Sequence, residues 1–120
     1  MFNKVIIMGR ICHGLELKNT TNGKSVLSFR VAVDRSYKDK NGERVADFHT
    51  VVAWGTTAEF VSKWFDKGRL ILVEGELQTR SYEHKDGYTV YLTEIIADSV
   101  GFTGEKAVTN SAQEETVMPY

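Results

Sequence analysis

Cysteine and proline are nearly absent: the 120 residues hold one of each, Cys12 and Pro119. A lone cysteine cannot close an intramolecular disulfide and cannot supply a cysteine-rich zinc site, so neither a disulfide framework nor a metal centre is expected. Long apolar runs are missing as well. The stretch Val5-Ile6-Ile7-Met8, closed by Gly9-Arg10, is shorter than a signal-peptide core and far short of the roughly 20 residues that cross a bilayer. A soluble, cytoplasmic protein without membrane association is expected. Nor is there a large net charge of one sign: the formal charge is -1 and the isoelectric point about 6.3, which argues against a generic basic polyanion binder. The near-zero sum hides an asymmetry, because residues 1–46 carry +5, residues 47–102 carry -4 and residues 103–120 carry -2.

What is present reads as one globular domain. Apolar residues at 42%, charged at 26% and aromatic at 11% suffice for a core, and a chain of this length would divide into two cores only at the expense of both. Glycines recur mostly every seven to fourteen residues between segments rich in Val, Ile, Thr, Phe and Tyr, which is the spacing of short strands. Five strands are predicted, over about 4–18, 25–35, 47–54, 69–82 and 88–100. The clearest is 25–35, where Leu27, Phe29, Val31 and Val33 alternate with Ser28, Arg30, Ala32 and Asp34. Residues 36–46 are polar around Asn41-Gly42 and are predicted to form a long hairpin loop, while Asp86-Gly87 marks a second hairpin turn. Between the third and fourth strands, Thr56-Thr57-Ala58-Glu59 has the form of a capping box. Phe60, Val61, Trp64 and Phe65 follow at helical spacing, and Gly68 supplies a stop. The spacings assign Phe29, Phe60, Trp64 and Phe65 to packing.

Three strands, one helix and two more strands describe an all-β fold, a five-stranded OB-fold barrel with one short helix between the third and fourth strands. Residues 1–102 make up the domain. Residues 103–120 lack periodicity and are expected to form a short, flexible, acidic tail.

Catalytic patterns are scarce. Cys12 and His13 are neighbours in a strand and point to opposite faces, which disfavours a thiolate and its base. The three histidines, His13, His49 and His84, fall in three different elements with no metal-ligand spacing, and no phosphate-cradling glycine motif occurs. Glu74 and Glu76 share a strand face and are read as a solvated edge rather than an acid-base pair. No cofactor is implied. Tyr37, Phe48, Trp54 and Tyr82, by contrast, are interleaved with Arg35, Lys38, Lys40 and Arg80, the mixture that stacks bases and tracks a phosphate backbone in sequence-tolerant binding of single strands. Alternation puts Phe48 and Trp54 on one face. It leaves open whether that face is the barrel interior or exposed surface.

Three stretches resemble a known family: Asn3 through Ile11 (NKVIIMGRI), Phe48 through Gly55 (FHTVVAWG), and Lys67 through Tyr82 (KGRLILVEGELQTRSY). In order and spacing they are similar to the bacterial single-stranded DNA-binding proteins over about residues 2–102. The resemblance implies an OB barrel assembled as a homotetramer. It implies a non-enzymatic protein that coats and protects single-stranded DNA in replication, recombination and repair. It places base stacking on Tyr37, Phe48, Trp54 and Tyr82, backbone contacts on Lys4, Lys40, Lys67 and Arg80, and a subunit contact on His49. Tyr37, Phe48 and Tyr82 stand where family members often carry tryptophan, and Thr50 and Gln78 where basic residues are frequent. The ending Glu114-Glu115-Thr116-Val117-Met118-Pro119-Tyr120 partly matches the family's partner-binding peptide. It makes Met118, Pro119 and Tyr120 candidates for capturing replication and repair proteins, with a frayed end as the alternative. An RNA-binding or replisome-accessory OB protein, and more remotely a hydrolase on the same barrel, are the other readings.

Overall fold

A computed structural model describes residues 1–104. The elements run β1 (Val5–Ile11), β2 (Lys18–Asn19), β3 (Ser25–Lys38), β4 (Arg44–Trp54), α1 (Gly55–Trp64), β5 (Leu70–Glu83) and β6 (Thr89–Gly101). Hydrogen-bonded order across the sheet is β1-β5-β6-β4-β3-β2, and β1 also pairs with β3 through Arg10↔Ala32 and Ile11↔Val31. That last pairing, two residue pairs long, closes the five long strands into a barrel. Every pair is antiparallel except β4–β6, which is parallel at Val51↔Ile95 and Val52↔Ile96. Among the described residues, no helix is long and apolar enough to cross a membrane.

Alternation dictates the core. Leu27, Phe29 and Val31 from β3 meet Val51 and Ala53 from β4, Ile71 and Val73 from β5, and Ile95 and Ala97 from β6, all buried. The helix adds Ala58 and Val61 to one end. Just beyond it, Phe65 stacks on Phe102 at 5.0 Å between ring centroids, and Phe60 meets the Phe102 ring edge-on at 5.8 Å. Gly75 marks where β5 approaches β6 most closely. The register shifts between Glu74 and Gly75, and a Cβ there would run into the carbonyl oxygen of Ile96, so only glycine fits without displacing backbone.

Several local expectations change. The first predicted strand, 4–18, splits into β1 and the two-residue β2. The predicted 36–46 loop is mostly strand, because β3 continues to Lys38 and β4 starts at Arg44. Its polar composition reflects a hairpin that projects past the core rather than a lack of structure. The turn itself is tight: Asp39 Oδ1 accepts from the Asn41 and Glu43 backbone N–H groups, and Gly42 takes φ +80°. The capping box does not form. The helix starts at Gly55 with no side-chain cap, and Glu59 instead accepts a 2.8 Å hydrogen bond from the Ser25 hydroxyl on β3. Trp64 is not a core residue. It is 51% exposed, with Lys63 Nζ 5.3 Å from its ring centroid. Phe65, in extended backbone immediately after the helix, fills the apolar space that the last helical turn would otherwise occupy.

Candidate nucleic-acid interface

The β3–β4 ladder fixes what the outer face displays. Its register runs Val26↔Trp54, Ser28↔Val52, Arg30↔Thr50 and Ala32↔Phe48, and directly paired residues share a face. Since Leu27, Phe29, Val51 and Ala53 point inward, Phe48 and Trp54 point outward, 55% and 44% exposed. The choice left open by alternation is thus resolved towards the surface. Six residues apart on one strand, the two rings are about 20 Å from each other along the strand.

The same face continues across β6 onto β5. In the parallel pairing Val52 lies beside Ile96, and Glu94, two residues before Ile96 on β6, is on the same face. The antiparallel partners Gln78↔Glu94, Arg80↔Leu92 and Tyr82↔Val90 extend the row. Tyr82, 47% exposed, therefore lies on the outer side of the β5–β6 hairpin together with Arg80. Phe48, Trp54, Tyr82 and Arg80 all belong to the outward side of one four-strand surface.

Tyr37 belongs elsewhere. Asp47 adjoins Phe48 on β4 and points to the other side of the sheet. The Arg35 guanidinium donates from Nε and an Nη to the two Asp47 carboxylate oxygens, each at 2.8 Å, and its other Nη donates to the Tyr37 hydroxyl at 2.7 Å. Tyr37 remains accessible at 57%, but its hydroxyl is tied to the side of the hairpin opposite Phe48. Lys40 is exposed at the hairpin turn and Lys67 lies exposed in the loop after α1. Lys4, just before β1, reaches Glu74 at 2.6 Å. That pair is six positions before Arg80 along β5, about 20 Å away. His49 is half-buried on the inward side of β4, opposite Val31. Met118, Pro119 and Tyr120 lie outside the described residues.

Three cations on or beside this surface, Lys4, Arg35 and Arg80, already have anionic partners. Hydrogen bonding to Glu74 raises the Lys4 ammonium pKa and, reciprocally, Lys4 followed by Ser99 holds the Glu74 carboxyl low. Arg80 Nε and an Nη grip both oxygens of Glu94 at 3.0 and 3.1 Å, which raises the guanidinium pKa further. The Glu94 side chain is only 10% exposed, whereas that of Arg80 is 59% exposed. The Arg35 hydrogen bonds lower the Asp47 pKa. Glu74 and Glu76 do not face each other as an acid-base pair: the first is bound to Lys4 and Ser99, and the second accepts from the Gln78 amide.

Sequence reasoning passed over one member of the surface, Arg30. Alternation alone puts it on the outside, but only the strand register brings its guanidinium over the Phe48 ring, 5.1 Å from the centroid.

Residues 2–103 match the single-strand binding protein family. The chain is 42% identical over 114 residues to "Single-stranded DNA-binding protein 1" of Staphylococcus aureus strain MSSA476, covering 95% of this chain and 73% of that protein. It is 45% identical over 106 residues to "Single-stranded DNA-binding protein 2" of Staphylococcus aureus strain Mu50, covering 88% and 75%. Against the "Single-stranded DNA-binding protein" of Streptococcus mutans strain UA159 it is 42% identical over 99 residues, or 82% and 60%.

The Arg35–Asp47 geometry makes a pH prediction. The Asp47 carboxyl should titrate below the ordinary value of about 3.9 and return towards it in Arg35→Gln. Because the folded-state pKa is the lowered one, the pair's contribution to stability is fully present above the unfolded value and is lost as pH falls through the folded value. An NMR titration of the carboxyl carbon checks this. An Asp47 that titrates normally in the wild type would mean the contact is not kept in solution.

Proposed function

The chain belongs to the single-strand binding protein family, and on that premise we propose that it holds single-stranded DNA on the outward side of β3, β4, β6 and β5. Phe48, Trp54 and Tyr82 offer ring faces to bases, Tyr37 adds one on the far side of the hairpin, and Lys4, Lys40, Lys67 and Arg80 neutralise phosphates. The observation that carries this assignment is the outward placement of three aromatics on one continuous surface, where large apolar side chains would otherwise be buried. In keeping with the family, the work is binding and protection rather than catalysis, in replication, recombination and repair, with the cytoplasm as the site of action.

Stacking supplies affinity without a basic protein, at roughly 1–3 kcal/mol per base. It also tolerates every base, since each has a π-face. Trp54→Ala should therefore weaken binding to oligo-dT by about 1–3 kcal/mol while the thermal unfolding transition stays near that of the wild type. Titration of labelled oligonucleotide, with RNA and duplex arms at the same salt, checks the first half and a thermal melt the second. Undiminished affinity in a folded variant would remove Trp54 from the site.

Assembly as a homotetramer is the second part of the reading. Strand β1 supports it: Ile6 and Met8 are 63% and 51% exposed. Its second edge is paired with β3 only at Arg10 and Ile11, so the stretch Ile6 to Met8 presents both exposed apolar side chains and a strand edge, which proteins normally cover. His49 is assigned to a subunit contact in the same assembly. Sedimentation equilibrium should give a mass of about four chains in the absence of DNA, and a stable monomer with full affinity would contradict the assignment.

The third part is recruitment of replication and repair proteins through Met118, Pro119 and Tyr120. Two carboxylates, Glu114 and Glu115, then an apolar residue, a conformationally restricted proline and a ring suit a peptide that fills a small apolar pocket at low ordering entropy. Removing residues 118–120 should leave DNA affinity unchanged and abolish retention of such enzymes in a pull-down; equal retention would decide for a tail without a partner.

A further inference from the structure

We propose that Arg30 is a phosphate-contacting residue of the single-stranded DNA site, held over the Phe48 ring so that its charge meets the backbone at the nucleotide stacked there. This deepens the assignment of the β3–β4 surface and rests on it.

The first observation is position. Arg30 is exposed on the outward side of β3, directly across the ladder from Thr50 and diagonal to Phe48. It lies between the Phe48 and Trp54 positions, on a stretch of β4 that carries no cation of its own: Thr50 and Val52 separate the two rings. Cross-strand neighbours lie about 4.5–5.5 Å apart at Cβ, so the neighbouring strand supplies a positive charge to a segment of the path that otherwise has none.

The second observation is electrostatic. Lys4, Arg35 and Arg80 each sit on a carboxylate, Glu74, Asp47 and Glu94 respectively. Arg30 has no carboxylate partner among the described residues; its guanidinium contact is the Phe48 ring at 5.1 Å. Two acidic groups on the same face, Asp34 and Glu94, are taken by Arg44 at 3.6 Å and Arg80 at 3.0 Å. A guanidinium on a ring keeps its outer edge of N–H donors free, and that planar fork matches phosphate oxygens. Engaging a phosphate here breaks no internal ion pair, whereas recruiting Arg80 or Lys4 does.

The third is rigidity at the base of the side chain. The Arg30 backbone N–H donates to His13 Nε2 at 3.2 Å, and its carbonyl accepts from the Cys12 N–H at 3.0 Å. The strand is thereby pinned where β1 and β3 close the barrel. Only the side chain has to adjust to a ligand, which limits the entropy lost on binding.

The test measures the salt dependence of oligo-dT binding by wild type, Arg30→Gln and Arg30→Lys, with thermal unfolding to show that all three fold. Loss of one phosphate contact lowers the slope of log affinity against log salt by about 0.7 on single strands. Arg30→Gln should therefore bind about tenfold more weakly at 0.05 M salt, with the deficit shrinking about eightfold by 1 M. Arg30→Lys should keep the wild-type slope. Parallel plots for wild type and Arg30→Gln, whether superimposed or offset by a constant factor, would overturn the phosphate contact while leaving the binding surface standing. A wild type without salt-dependent binding to oligo-dT would overturn the surface assignment and this contact with it.

Discussion

The register between β3 and β4 is the constraint on which the rest depends. With Phe29 opposite Val51 and Leu27 opposite Ala53, the inner rows fill the barrel, and the outer rows receive whatever alternates with them. A slip of one residue would carry Phe48 and Trp54 inward and put Val51 and Ala53 on the surface. The buried apolar set forbids that slip: Leu27, Val31, Val51 and Ala53 are fully enclosed, and exposing a single such side chain costs about 1.5–3 kcal/mol. The core thus specifies the binding surface indirectly, since the only register that buries the aliphatic residues is the one that leaves the rings outside.

The surface that results is not strongly basic, and three cations on or beside it are paired with carboxylates. Lys4 with Glu74, Arg35 with Asp47 and Arg80 with Glu94 satisfy one another in the unbound protein, which fits a net charge of -1. The exposed pairs, Lys4–Glu74 and Arg35–Asp47, contribute little to stability, but all three pairs set the orientation of a cation and, in the proposed site, are exchanged rather than created when a phosphate arrives. In the proposed site, ring faces therefore supply affinity that the paired charges do not. The carboxylates also give the cations geometry: Arg80, gripped at two points by a nearly buried Glu94, is held beside Tyr82 instead of sampling solvent. Arg30 differs from these three because an aromatic ring, not an anion, holds it in place.

Aliphatic alternation in 25–35 and 47–54, the Asn-Gly and Asp-Gly turns, and the helix between the third and fourth strands are local patterns, so the barrel, its helix and the pairing of Phe48 with Trp54 on one face were determined by the sequence. The resemblance over residues 2–102 is equally a property of the linear chain, and the match of residues 2–103 to the family agrees with it. Which way that face points, and what adjoins it, belonged to the tertiary structure. Outward exposure of Phe48 and Trp54 follows from which row the barrel encloses. The separation of Tyr37 from Phe48 follows from an arginine that binds Asp47 twelve residues away. Trp64 stays half-exposed while its neighbour Phe65 packs in the core on Phe102, distant in sequence. The position of Arg30 over Phe48 follows from a hairpin register. In each case the deciding contact joins residues far apart along the chain, and no local pattern encodes which of two allowed partners will arrive there.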